Sequence, residues 1–166
     1  VLPGTKATIA DLDFRRRSGL ADAIVARRAA GAAVLGICGG FQMLGERITD
    51  PSGVEAAPGS EVAGLGLLPV TTTFAAEKTT RRVDGTVANG RGPWAGATGA
   101  RAAGYEIHMG TTEATAPGAD PLLSVEGRPD GAVSVDGLAA GCYLHGLFHN
   151  DELRHALLAA LGRPEA

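Results

Sequence analysis

The stretch Val34-Leu35-Gly36-Ile37-Cys38-Gly39-Gly40-Phe41-Gln42-Met43-Leu44-Gly45 decides how this chain is read. Ala33 to Ile37 is a short apolar run of the kind that fills a buried parallel strand, and Phe41, Leu44 and Ile48 then recur at helical spacing. Cys38 therefore falls in a strand-to-helix turn. Gly36, Gly39 and Gly40 carry no Cβ, so the backbone can take strained dihedrals and a substrate can approach the sulfur closely. A helix that starts just after the thiol aims free N–H groups and a positive dipole end at it. That favours the thiolate and offers donors to a developing oxyanion. A small cysteine buried in a core strand is the competing reading, and the flanking glycines decide for a nucleophile.

Upstream, Pro3-Gly4-Thr5-Lys6 reads as a turn into a short helical segment, Thr8 to Phe14, with Thr8 as its N-cap. Ser18 is the next cap candidate. Leu20, Ala23, Ile24, Ala26 and Ala30 then repeat at helical spacing before Gly31 stops the helix. Strand, helix, strand, helix in this order is the pattern of a parallel α/β sheet, whose ligands bind at the carboxyl ends of the strands. Pro3-Gly4 and Cys38 both fall at such ends. Val1-Leu2 looks like the end of a strand, and earlier strands of the same domain are expected to lie outside this chain.

Downstream, Asp50 to Glu61 reads as a loop without apolar period. Leu65 to Phe74, Val83 to Val87 and Ala102 to His108 read as strands, with Lys78 to Arg82 as a polar edge or turn between the first two. Trp94, in the glycine-rich run Gly90 to Gly99, is expected to cover a core edge. Leu122 to Glu126, Ala132 to Asp136 and Ala139 to Leu144 are short strands parted by Arg128-Pro129-Asp130-Gly131 and Asp136-Gly137 turns. A last helix is expected after Asn150 as its cap, burying Leu153, Leu157, Leu158 and Leu161.

The 166 residues suffice for one domain with a real core, and 45% hydrophobic with 20% charged residues excludes disorder. No apolar stretch reaches the roughly 18 to 20 residues of a spanning helix, and no signal segment opens the chain, so a cytoplasmic protein without a membrane partner is expected. A net charge of −3 without a basic face argues against nucleic acid. The Arg15-Arg16-Arg17 run reads as a solvated helix end. Two cysteines, Cys38 and Cys142, fit a reducing compartment better than a disulfide.

A cysteine nucleophile needs a base, and histidine is the first candidate because it titrates near neutrality. His155 lies inside the last amphipathic helix, where a solvated or packed role is expected. His108 sits in a glycine-flanked strand, and His149 next to the last helix. His145 ends a strand and is followed by Gly146, as Cys38 is followed by Gly39, and by placement it is the best base.

Four blocks then carry a resemblance: Pro3-Gly4-Thr5-Lys6 with Thr8-Ile9-Ala10-Asp11-Leu12; Gly36 to Gly45; Gly104-Tyr105-Glu106-Ile107-His108-Met109-Gly110; and Tyr143-Leu144-His145-Gly146-Leu147-Phe148. In this order, over nearly the whole chain, they resemble the glutamine amidotransferase domain of cobyric acid synthase. The resemblance implies an α/β, class I glutamine amidotransferase-like (flavodoxin-like) fold with a mixed central sheet, as one domain over 1–166. It implies that Cys38 attacks the side-chain amide of glutamine while His145 moves the proton. The N–H groups of Gly39 and Gly4 would form the oxyanion hole, and Gln42 would help to hold the amino-acid end of the substrate. The ammonia would pass to an ATP-dependent synthetase domain, with ATP and Mg, acting on a corrinoid substrate, adenosylcobyrinic acid a,c-diamide. No cofactor or metal is expected in this chain.

Two departures qualify this. Many related enzymes place a Glu two residues after the catalytic His, where this chain has Leu147, so a Cys–His dyad is implied, with Glu106 and His108 as candidate orienting or substrate-binding groups. No Gly-x-x-x-x-Gly-Lys-Ser/Thr phosphate loop occurs, so the synthetase part is expected to be separate. A related amidotransferase feeding cell-wall lipid amidation, and a catalytically idle interaction subunit, are the alternatives.

Overall fold

A computed structural model describes residues 1–163. Helices α1 (Thr8–Arg17) and α2 (Leu20–Ala29) precede strand β1 (Val34–Ile37), helix α3 (Gly39–Leu44) and strands β2 (Arg47–Asp50) and β3 (Ser60–Ala63). Then come β4 (Val70–Val87), a 3-10 turn at Gly92–Ala97, β5 (Arg101–Ala114), β6 (Leu123–Val125), β7 (Arg128–Asp130), β8 (Ala132–Val133), β9 (Ala139–Cys142) and β10 (Leu144–His145). Helix α4 (Asp151–Ala160) closes the described chain.

The strands form two mixed sheets. In the smaller, β1 runs parallel to β9 and β9 antiparallel to β8, while Leu2 adds a parallel bridge to Gly36 on the other side of β1. The larger has the order β10-β5-β4-β2-β3, with the β6-β7 hairpin joined to β4. The chain steps from the small sheet to the large one between Cys142 and Leu144, and this step sets His145 beside the end of β1.

One apolar cluster gathers Leu35, Val87, Trp94, Leu123, Leu147 and Leu153; a second gathers Leu12, Phe41, Met43, Leu44, Ile48 and Tyr143. Trp94 is buried, as expected of a residue covering a core edge. Helix α3 and strand β9 pack tightly at Gly141, where an added Cβ would lie 2.4 Å from the Phe41 ring. Burial of these side chains, each worth roughly 1.5–3 kcal/mol, holds α3 onto β1 and β9.

Several local expectations yield to tertiary pairing. The helix after Cys38 ends at Gly45, whose absent Cβ would fall 2.7 Å from the Val70 carbonyl oxygen, so Ile48 joins strand β2 instead of a helical face. Lys78 to Arg82 is no turn: β4 runs through it against β5, with a bulge between Thr73 and Lys78. Arg128 to Asp130 is strand β7, and the turn falls instead at Glu126-Gly127, both with positive φ. Thr8 is the first residue of α1 and not its cap, and Asn150 makes no capping bond to α4. The Asn150 amide bonds Ala103 N–H and C=O instead, tying the helix start to β5.

Candidate active site

The turn after β1 is built by exclusion of side chains. A Cβ on Gly36 would lie 2.5 Å from the Gly40 carbonyl oxygen, and one on Gly40 would lie 2.1 Å from that of Leu2. With both absent, α3 can start directly at the end of β1. Cys38 between them takes φ 53° and ψ −116°, a conformation that costs a non-glycine residue roughly 1–3 kcal/mol. Its N–H donates to the Cys142 carbonyl at 2.9 Å, which pins the strained residue to β9.

The Cys38 thiol is 9% exposed and donates to the Ile107 carbonyl at 3.2 Å. Burial pushes its pKa above the usual thiol value; the Gly39 N–H opposes this, and the negative Glu55 adds to it. Desolvation outweighs the Gly39 N–H, so the free thiol is biased toward its protonated form and not toward the thiolate expected from the turn.

His145 ends β10, and its Nε2 lies 3.2 Å from the same Ile107 carbonyl. Gly104 permits this approach, since a Cβ there would meet the His145 carbonyl oxygen at 2.1 Å. Gly4 fits between Cys38 and His145: its added Cβ would lie 3.3 Å from the Cys38 Cβ and 3.1 Å from His145 Cε1. The structure brings Cys38, Gly39, Gly4 and His145 together. His155 is exposed on α4, and Leu147 fills the core.

Glu106 and His108 do not reach His145 by hydrogen bond. Both sit on one face of β5, where Glu106 meets Arg81 at 2.6 Å and His108 Nε2 at 3.0 Å. His108 donates through Nδ1 to the Gly110 carbonyl at 2.9 Å and stacks on Tyr143 with ring centroids 3.8 Å apart. With Asp130, Arg128 and Phe41 they line a cavity of about 370 Å³. Gln42 is buried, and its amide is engaged on both sides: Nε2 donates to the Met109 carbonyl and the Tyr143 hydroxyl, each at 3.2 Å, and Oε1 accepts from Thr8 at 3.1 Å. Its observed partners are protein groups, because the helix turn after Cys38 packs under β5.

Sequence reasoning missed Glu55. The fully buried Asp50 accepts N–H groups of Val54, Glu55 and Ala56 at 2.7–2.8 Å, folding the loop after β2 into a tight turn. Burial opposes ionisation of Asp50, but these N–H groups together hold its pKa below the usual carboxylate range. The turn carries Glu55 to the start of α1, where it accepts the Ile9 N–H at 3.0 Å. Burial raises the Glu55 pKa. The available signal was Asp50-Pro51-Ser52-Gly53, a turn sequence whose aspartate can bond the backbone beyond it. Among the described residues no group of three or more His, Cys, Asp or Glu is placed to hold a metal ion.

The family model for the CobB/CobQ-like glutamine amidotransferase domain matches residues 1–153. This chain belongs to that family. A cobyric acid synthase from a Bradyrhizobium species is 48% identical over 162 residues, covering 98% of this chain and 31% of the relative. One from Methylorubrum populi is 51% identical over 164 residues, with 98% and 31% covered. The chain thus spans about a third of the length of these relatives. Among solved structures, a glutamine amidotransferase superposes with a TM-score of 0.62 at 19% identity, covering 96% of this chain and 77% of that one. PurLQS from Thermotoga maritima gives a TM-score of 0.62 at 18% identity, over 86% of this chain and 68% of the other. These two establish the fold, a class I glutamine amidotransferase-like α/β arrangement.

Proposed function

We propose that this domain hydrolyses glutamine through a Cys38–His145 thioester mechanism and supplies the ammonia for ATP-dependent amidation of a corrinoid. The observation that carries this reading is the strained Cys38 at the strand-to-helix turn with His145 directed at the same carbonyl oxygen.

In the first step the S–H proton passes to His145 and the sulfur electron pair forms a bond to the side-chain amide carbon of glutamine. The carbonyl oxygen becomes an oxyanion, received by the N–H groups of Gly39 and Gly4. The Gly39 N–H already points at the sulfur, which supports this placement. Collapse of the tetrahedral intermediate breaks the C–N bond, His145 returns its proton to the leaving nitrogen, and ammonia departs. Water then attacks the thioester, with His145 again taking a proton, and glutamate leaves as the thiol reforms. Glu55, negative and close enough to disturb Cys38, supplies the counter-charge for the substrate's α-ammonium group. Gln42, Glu106 and His108 serve the same site by bracing α3 against β5.

The relatives' name supports the destination of the ammonia. On this reading, a separate ATP- and Mg-dependent synthetase part activates carboxylates of adenosylcobyrinic acid a,c-diamide, and amidation gives adenosylcobyric acid. The test is glutamate release from glutamine by wild type, Cys38→Ala and His145→Ala. Each substitution is expected to lower kcat by about 10²-fold or more. Hydrolysis that survives loss of Cys38 overturns the assignment, as does ammonia transfer to corrinoid without an ATP-binding partner.

A further inference from the structure

We infer that Asn150 is a positioning residue for His145: its carboxamide supplies a further rung between β10 and β5 that the backbone does not make, and so holds the histidine beside the Cys38 turn. The inference rests on the Cys–His reading above and adds to it the group that fixes where the histidine sits.

Strand β10 is two residues long and lies at the edge of its sheet, next to β5. Its ladder has two pairs, Leu144 with Glu106 and His145 with Tyr105. Continued in register, it would next set Gly146 against Gly104 and Leu147 against Ala103. It stops because Gly146 turns to φ 82° and a 3-10 turn, Leu147–His149, follows. Asn150 meets the backbone of Ala103 instead: Oδ1 accepts the Ala103 N–H at 2.9 Å, and Nδ2 donates to the Ala103 carbonyl at 3.0 Å. One side chain thus makes the two bonds that a strand residue opposite Ala103 would make. Nδ2 also donates to the Leu147 carbonyl at 2.9 Å and to that of Gly146 at 3.4 Å, which ties the turn leaving His145 to the same group.

Residues two apart in a strand turn their backbone groups to the same edge. On β5 that edge carries Ala103, Tyr105 and Ile107 in turn. Ala103 holds Asn150, Tyr105 pairs with His145, and the Ile107 carbonyl meets Cys38 Sγ and His145 Nε2, each at 3.2 Å. A slip or splay of β10 along this row moves the imidazole away from the Cys38 turn, and a displacement of about 1 Å can cost roughly 10²-fold in rate. A carboxamide suits the place because the Ala103 N–H needs an acceptor while the Ala103, Gly146 and Leu147 carbonyls need a donor; a carboxylate would set an oxygen against all three. Asn150 also occupies the cap position of α4 but makes no capping bond there. As helix caps Asn, Asp and Ser are about equal, so a cap and a ladder rung respond differently to the same substitutions.

The test compares wild type with Asn150→Asp and Asn150→Ser in the full chain. Both variants keep a residue that can cap α4, and both lose the amide that accepts and donates at once. In each, kcat for glutamate release is expected to fall by about 10- to 100-fold, with KM for glutamine changed by no more than about twofold. The 13C–1H ring signals of the histidines, with that of His145 assigned from His145→Ala, read placement without turnover. The His145 signal is expected to shift and broaden in both variants, while that of His155, exposed on α4, stays where it is in wild type. A His145 signal unmoved in both variants, or an unchanged kcat, overturns the inference. So does a His155 signal that moves together with that of His145, since the disturbance then lies in α4. A wild-type chain that releases no glutamate, but whose His145 signal alone responds to Asn150→Asp, supports the placement and counts against the glutaminase reading.

Discussion

The Asp130 carboxylate accepts the Tyr143 backbone N–H through both oxygens, at 3.2 and 3.3 Å, where the chain passes from β9 to β10. Burial dominates its chemistry and raises its pKa to about 6; the Tyr143 N–H opposes this, and Glu106 adds repulsion. A carboxyl with a raised folded-state pKa favours the fold while protonated. Its contribution falls as pH rises from the unfolded value near 4 through about 6, and the cost is complete above that. Asp130→Asn removes the charge and keeps an acceptor for Tyr143. Relative to wild type, the substitution is expected to gain about 2–3 kcal/mol between pH 4 and pH 7, read by urea unfolding at each pH. A flat difference across that range contradicts the assignment.

Cys38 holds a positive φ that glycine tolerates and alanine does not. Both Cys38→Gly and Cys38→Ala lose the sulfur, but only the latter keeps the strain. Cys38→Gly is therefore expected to be more stable than Cys38→Ala by about 1 kcal/mol, the reverse of the usual order. Denaturant midpoints of the two variants decide it.

Glu55 raises the pKa of the Cys38 thiol through its charge. Glu55→Gln is expected to increase the thiolate fraction at a fixed pH near 8 and to speed alkylation of Cys38 by iodoacetamide. In turnover, the same variant is expected to raise KM for glutamine by about tenfold through loss of a charge-assisted contact, with a smaller change in kcat. Slower alkylation together with an unchanged KM would remove Glu55 from the site.

The Tyr143 hydroxyl joins Gln42 at 3.2 Å to Thr112 at 2.6 Å. Tyr143→Phe leaves the Gln42 amide with one fewer acceptor in a buried setting, at a cost of about 1–2 kcal/mol. Since this couples α3 to β5, His145 and Cys38 are expected to lose order as well, visible as broadened histidine ring signals. Unchanged stability would show that the Met109 carbonyl and Thr8 suffice for Gln42.

The glycine-lined turn that holds Cys38 was legible because its cause is local. Gly36, Gly39 and Gly40 stand next to Cys38 in the chain, and the close approach of Gly40 to Leu2 leaves room for no other residue. His145 was legible by analogy of placement, at a strand end before a glycine. Glu55 was not, since its position depends on Asp50 gathering three N–H groups of a loop without hydrophobic period. Nor was the single long strand β4: its polar middle, Lys78 to Arg82, reads as a turn until β5 pairs with it.

By itself the sequence determined a thiol at a glycine-lined strand-to-helix bend, a histidine at a second strand end, and the family to which both belong. Only the tertiary structure decided that the thiol is held protonated by burial, and that thiol and imidazole converge on one carbonyl of β5. Glycine spacing acts on the adjacent backbone and can be read along the chain. Desolvation and the aim of a carbonyl depend on which distant strands pair, and in which register, so they exist only once the sheets have formed.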